Sequence, residues 1–128
     1  MPAEESDDVI ASAVEVLPIA EVAPLLAGGG GGPFTAGELA YARDKSDPER
    51  RLAARLAAKQ AAVAALGGSL ELTDVEIVRG RGGPPRLELS ERGRARLAEI
   101  GGDRVLVSLT HGREHAAAAV LVLGGPRR

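Results

Sequence analysis

Apolar residues recur with a helical period most clearly over residues 50–66, where Leu52, Leu56, Val63 and Leu66 form one face and Arg51, Arg55 and Lys59, four residues apart, form a basic stripe. The segment is filled with Ala, Leu, Arg, Lys and Gln, all good helix formers. Asp47 is placed as an N-cap, Pro48 suits the first helical position, and Glu49 sits in the first turn. Gly67 and Gly68 end the helix in left-handed geometry. The simplest reading of the basic stripe is a solvated face.

The flanking patterns predict shorter elements. Val9–Val16 is a mostly apolar, β-prone run that reads as a strand buried on both sides. Pro18 then turns the chain, and Ile19–Leu26 carries one or two helical turns before Pro24. Thr35-x-x-Glu38 has the form of a capping box opening a helix over Ala36–Arg43. Leu70–Val78 and Arg86–Leu89 read as two strands joined by the glycine-bearing turn Arg79–Pro85. The apolar phase switches from Leu70/Leu72 to Val75/Ile77, which predicts a bulge near Thr73–Asp74. Ser90 caps a helix over Glu91–Ile100 that Gly101 and Gly102 close. Arg104–Thr110 alternates as a strand, His111–Glu114 is a tight connection around Gly112, and Ala116–Leu123 is an apolar last strand. This order predicts an α+β fold, an antiparallel sheet packed on one long helix. Residues 9–123 form a single domain, with an acidic tail at 1–8, a flexible glycine loop at 28–32 and a frayed tail at 124–128. The five glycines lack the preceding strand and following Lys-Ser/Thr of a phosphate-binding loop.

Composition narrows the function. A chain of 128 residues supports one modest core, and its many alanines leave that core thin, which favours an oligomer with a shared core. Net charge is -2, with one Phe, one Tyr and no Trp, so neither the basic footprint nor the stacking aromatics of a nucleic-acid binder are present. There is no cysteine, which removes disulfides, thiolate metal sites and cysteine nucleophiles. Met1–Asp8 is acidic, unlike a secretory signal. The longest apolar run, Ala116–Leu123, is far short of a membrane span. A cytoplasmic protein of a GC-rich bacterium is the expectation.

Three blocks together resemble the holo-acyl-carrier-protein synthases, the small trimeric branch of the 4′-phosphopantetheinyl transferases. RLAAKQAAVAALG at Arg55–Gly67 is similar to R-F-A-x-K-E-A-x-x-K-A-x-G. TDVEIVRGRGGPP at Thr73–Pro85 is similar to a strand ending D-I-E-I followed by a G-K-P turn. VSLTHGREHAAAAV at Val107–Val120 is similar to S-I-S/T-H-x-x-x-x-A-x-A-x-V. The resemblance implies a trimer with active sites between subunits, a reaction that moves phosphopantetheine from coenzyme A to a carrier-protein serine, and magnesium held by an Asp and a Glu. Those two positions fall here on Ser12 and Gln60. The family's second helix lysine corresponds to Ala64, its turn lysine to Pro84, and its carrier-docking basic residues to Leu17 and Pro18.

Losses in every ligand class imply that the ancestral reaction is gone. The expectation is a repurposed protein with metal-free acid/base chemistry, such as dehydration or cyclisation, on a small or carrier-linked metabolite in bacterial polyketide-like metabolism. His111, Lys59 and Arg55 are the expected catalytic residues, since imidazole titrates near neutral pH and cationic groups steady oxyanions. Gln60, Ser12, Thr110 and Glu114 are the expected ligand-binding residues; no metal ligand and no cofactor are expected. His115 reads as a surface or interface side chain. The partners are two further copies of the chain and an acyl carrier protein or its bound metabolite, with no nucleic acid and no membrane. The alternatives are a non-catalytic trimeric binding protein and an atypical but working transferase, which alone would need coenzyme A and magnesium.

Overall fold

The computed structural model describes residues 8–27, 32–79 and 82–125. Apart from Asp8, Gly32, Gly124 and Gly125, the two expected tails and the glycine loop lie outside the described residues, as does Gly80 of the hairpin turn. The chain runs as β1 (Val9–Pro18), a 3-10 turn (Ile19–Glu21), α1 (Val22–Ala27), α2 (Ala36–Arg43), α3 (Pro48–Leu66), a second 3-10 turn (Leu72–Asp74), β2 (Val75–Arg79), β3 (Pro85–Leu89), α4 (Glu91–Glu99), β4 (Gly102–His111) and β5 (His115–Gly124). The strands form an antiparallel three-stranded sheet ordered β1-β5-β4 and a separate β2-β3 hairpin.

Helix α3 lies at the centre. Residues 52–59, with Ala61, Ala62 and Leu66, are buried. Alanine on successive turns lets the backbone of β5 approach closely, where Ala116 and Ala118 alternate with buried Val120 and Val122. Leu17, Val22, Phe34, Val75 and Ile77 complete the core. The basic stripe is therefore not a solvated face. Lys59 is fully buried and Arg55 nearly so, because α2 and β2 cover the side of α3 turned away from the sheet.

Three local expectations change. Strand β1 is buried on one face only: Ala11, Ala13 and Leu17 turn inward, while Ser12, Val14 and Val16 are exposed. Leu70–Thr73 does not pair. The phase switch marks the 3-10 turn instead, which closes when Asp74 accepts from the Glu71 N–H at 2.8 Å and the Asp74 N–H donates to the Glu71 carbonyl at 2.9 Å. Asp47 makes no side-chain cap to α3; its carboxylate takes the Arg51 Nε proton at 2.8 Å.

The cap of α2 positions the interior. Thr35 Oγ1 accepts from the Glu38 N–H at 3.2 Å, and Glu38 Oε1 accepts from the Thr35 N–H at 2.9 Å, the reciprocal pair that its sequence predicts. Ser90 caps α4 and donates to Asp74 at 2.7 Å, which ties α4 to the start of β2. At the end of α3, Gly67 has φ of 70°, and Arg96 donates to the free carbonyl of Leu66 at 2.8 Å.

Candidate functional site

Two ionic clusters lie on the sides of α3. The inner one is closed. Glu38 is fully buried and accepts from Lys59 Nζ at 2.8 Å and from the Ile77 N–H at 2.8 Å, besides the Thr35 N–H. Lys59 also donates to the Val75 carbonyl. Burial pushes the Lys59 amine below its ordinary value, and the hydrogen bond and charge of Glu38 oppose that shift. Glu76 accepts from Thr35 Oγ1 at 2.8 Å, which extends the network to β2. Lys59 and both carboxylate oxygens of Glu38 have internal partners, so the cluster ties α2, α3 and β2 together.

The outer cluster is open. A cavity of about 220 Å³ lies between α2, α3 and the ends of β2 and β4, with Tyr41, Arg51, Arg55, Arg79, Thr110 and His111 in its wall. Tyr41 is its floor: the Arg55 guanidinium stacks 4.0 Å from the ring centroid, Lys45 lies at 4.9 Å and Arg51 at 6.0 Å. Arg51 also donates to the Tyr41 hydroxyl at 3.0 Å. Burial alone would raise the Tyr41 phenol, but the charges of Arg55, Arg51 and Lys45 and the Arg51 hydrogen bond outweigh it and hold the group below its ordinary value.

Arg55 is 3% exposed, and its Nε is buried without a hydrogen-bond partner. Its Nη1 donates to the Arg51 carbonyl over a long 3.4 Å. Burial pushes the Arg55 guanidinium below its ordinary pKa, as desolvation of a cation must, and the charge of Tyr41 opposes that shift. An unsatisfied buried donor costs about 1–3 kcal/mol, more for a charged group. With Arg51, Arg79 and His111 in the same wall, that donor fits an anion with several acceptor oxygens. A larger depression beside Val9, Ile100 and Gly124 has Asp8 as its sole ionisable lining residue among those described.

The sequence-predicted residues divide accordingly. Arg55, Thr110 and His111 share the open cavity. Lys59 does not line it, because its amine is engaged inside. Gln60 is half-buried on α3 beyond Lys59, and Ser12 is on the exposed face of β1 opposite Leu121. Glu114 is exposed in the β4–β5 turn, where its carbonyl accepts from the Ile19 N–H at 2.8 Å. His115 is exposed at the start of β5. Tyr41 and Arg79 were not anticipated. A faint signal for Tyr41 is that the chain's single tyrosine lies one helical turn after Glu38.

The donor set at Ser12 and Gln60 does not fit a magnesium cage, which takes anionic oxygens. Both positions offer neutral oxygens only. Among the described residues no group of three or more His, Cys, Asp or Glu side chains is arranged to hold a metal ion.

No family model matches the chain. A holo-[acyl-carrier-protein] synthase of Moorella thermoacetica is 44% identical over 92 residues, which cover 70% of this chain and 72% of that one. The acyl carrier protein synthase structure from Mycobacterium tuberculosis matches at 31% identity and a TM-score of 0.70, covering 93% of this chain and 100% of that one. A Chronobacterium ammoniagenes synthase in complex with coenzyme A matches at 25% identity and a TM-score of 0.76, covering 92% and 98%. These likenesses overturn three expectations from the sequence: a repurposed lyase or cyclase, a preference for such chemistry over the transferase, and a chain without coenzyme. The relatives carry the synthase name, and one holds coenzyme A. The identity to the Moorella synthase over most of both chains and the match in fold to the solved synthases agree: this chain belongs to the holo-[acyl-carrier-protein] synthase family.

Proposed function

We propose that the chain is a working 4′-phosphopantetheinyl transferase that carries phosphopantetheine from coenzyme A to a serine hydroxyl of an acyl carrier protein. The observation that carries this reading is the buried, unsatisfied Arg55 Nε in a cationic cavity. Coenzyme A presents phosphate oxygens that such a wall recognises. In the reaction the serine oxygen attacks the phosphorus that bears pantetheine and gives up its proton to solvent, the bond from that phosphorus to the bridging oxygen breaks, and adenosine 3′,5′-bisphosphate departs with that electron pair. Negative charge grows on the departing nucleotide. Fixed guanidinium groups stabilise such charge because they need no reorganisation as it develops.

In this reading Arg55, held rigid by the Tyr41 ring, positions a phosphate group, with Arg51, Arg79 and His111 donating to the same anion. Thr110 offers a hydroxyl at the rim. Gln60, Ser12 and Glu114 stand outside that set. Lys59 acts through the fold, by holding α2 and β2 against α3. No step is routed through a metal held by the chain, in keeping with the neutral donors at Ser12 and Gln60.

The proposal includes a homotrimer. Its support is the outer face of the three-stranded sheet, where Val14 (68% exposed) and Val16 (61% exposed) lie beside Leu106 and Leu121. Ser12, Ser108, Thr110, Ala117 and Ala119 lie on the same face, with Arg104 and His115 at its edges. Covering such a face contributes roughly 25 cal/mol for each Å² of apolar surface. The proposal also sets the reaction in the cytoplasm, supported by coenzyme A as its substrate. Among the described residues no helix is long and apolar enough to cross a membrane.

The test is the appearance of adenosine 3′,5′-bisphosphate when the protein is mixed with coenzyme A and an apo acyl carrier protein. Release that needs both substrates is expected. No release at any magnesium concentration contradicts the proposal.

A further inference from the structure

The neutral residues at Ser12 and Gln60 leave a question that the open cavity answers. A coenzyme's phosphates have to be met by positive charge, and either a divalent cation on carboxylates or cationic side chains can supply it. The chain lacks the first arrangement. Ser12 contributes a hydroxyl on the exposed face of β1, and Gln60 contributes an amide on α3. Several acidic side chains nearest α3 are committed elsewhere. Glu38 is saturated by the Thr35 and Ile77 N–H groups and by Lys59. Asp47 is bonded to Arg51. Glu15, half-buried on β1, is a lone carboxylate and falls short of a magnesium ligand set.

The second arrangement is present. Arg51, Arg55, Arg79 and His111 line one cavity, and Arg55 holds a buried donor without a partner. Arginine suits this role because its planar fork meets phosphate oxygens in pairs and is desolvated more easily than an ammonium. The Tyr41 ring under Arg55 fixes the guanidinium plane, so little freedom is lost on binding.

We propose that this chain binds coenzyme A through guanidinium and imidazole groups alone, with no divalent cation held by the protein. The inference rests on the transferase reading, and it deepens that reading by naming what neutralises the phosphates. It also predicts a strong salt dependence, since exposed parts of such contacts are screened over about 8–10 Å at physiological ionic strength.

Isothermal titration of the whole protein with coenzyme A, once in excess EDTA and once in magnesium chloride, tests it. Dissociation constants that agree within about twofold are expected, a difference under about 0.4 kcal/mol. A second readout is electron paramagnetic resonance of manganese added without coenzyme A. The natural chain is expected to leave manganese free. Coenzyme A that binds at least tenfold more tightly with magnesium overturns the inference and leaves the transferase reading standing. So does manganese held by the natural chain. Coenzyme A that binds under neither condition overturns the inference and the transferase reading together.

Discussion

Lys59→Met probes the internal ion pair that joins α2, α3 and β2. The methionine keeps the length and apolar stem of lysine and removes the amine. Glu38 then keeps the Thr35 and Ile77 N–H donors but loses its one cationic partner, 2.8 Å away. Both side chains are fully buried, so water cannot replace the amine without entering the core. Breaking such a pair from one side costs about 3–5 kcal/mol. A domain of 128 residues has roughly 6–19 kcal/mol of stability in total, so the loss is a large fraction of it. At about 3–5 °C per kcal/mol for this size, the midpoint of thermal unfolding falls by roughly 10–20 °C. Circular dichroism melting curves of the wild type, Lys59→Met, Glu38→Leu and the double variant supply the numbers. The double variant is expected to be more stable than the sum of the two single losses implies, because it leaves no buried charge alone. Single losses below about 1 kcal/mol, or strict additivity, would refute the reasoning, since either result means that the pair is hydrated.

Further outcomes follow from the same geometry. Tyr41 is the only tyrosine, so an ultraviolet titration reads it directly; its midpoint is expected below 10.0 and is expected to rise in Arg55→Met, while a midpoint at or above 10.0 in the wild type contradicts the stacked arrangement. Asp74 is held below the ordinary carboxylate value of 3.8 by the Glu71 N–H and then the Ser90 hydroxyl. The lowered value means that its stabilising effect is complete above 3.8 and fades as pH falls through and below that value. Asp74→Asn should therefore lose about 1–2 kcal/mol in neutral urea titrations, and the gap from wild type should narrow in acid. Gly67→Ala is expected to cost about 1–3 kcal/mol by thermal melting, because φ of 70° with ψ of -159° is a region that essentially only glycine occupies.

Much of the local architecture was legible because its causes are local. Thr35 and Glu38 are three residues apart and bond reciprocally, as their types demand. Ser90 caps α4, and Gly67 ends α3. What could not be read was set by distant partners. A cation every four residues looks the same on a solvated and on a buried face; only Glu38, 21 residues before Lys59, decides the matter. Arg55 is likewise placed by Tyr41, on another helix. The stretch leading into the Leu72–Asp74 turn mimics a strand because Leu70 and Leu72 alternate with Glu71 and Thr73. The reaction was misjudged for a different reason. The missing carboxylates at Ser12 and Gln60 bear on how charge is neutralised, and they say little about the wall of Arg51, Arg55, Arg79 and His111 proposed to meet the phosphates.

The central claim is transfer from coenzyme A, and intact-mass spectrometry of an apo acyl carrier protein tests it most directly. The carrier is incubated with coenzyme A and the wild-type protein, and in parallel with Arg55→Met. A mass gain of one phosphopantetheinyl group is expected with the wild type, strongly slowed in Arg55→Met and absent from a carrier whose acceptor serine is alanine. An unchanged carrier mass with the folded wild-type protein, with and without magnesium, would contradict the account.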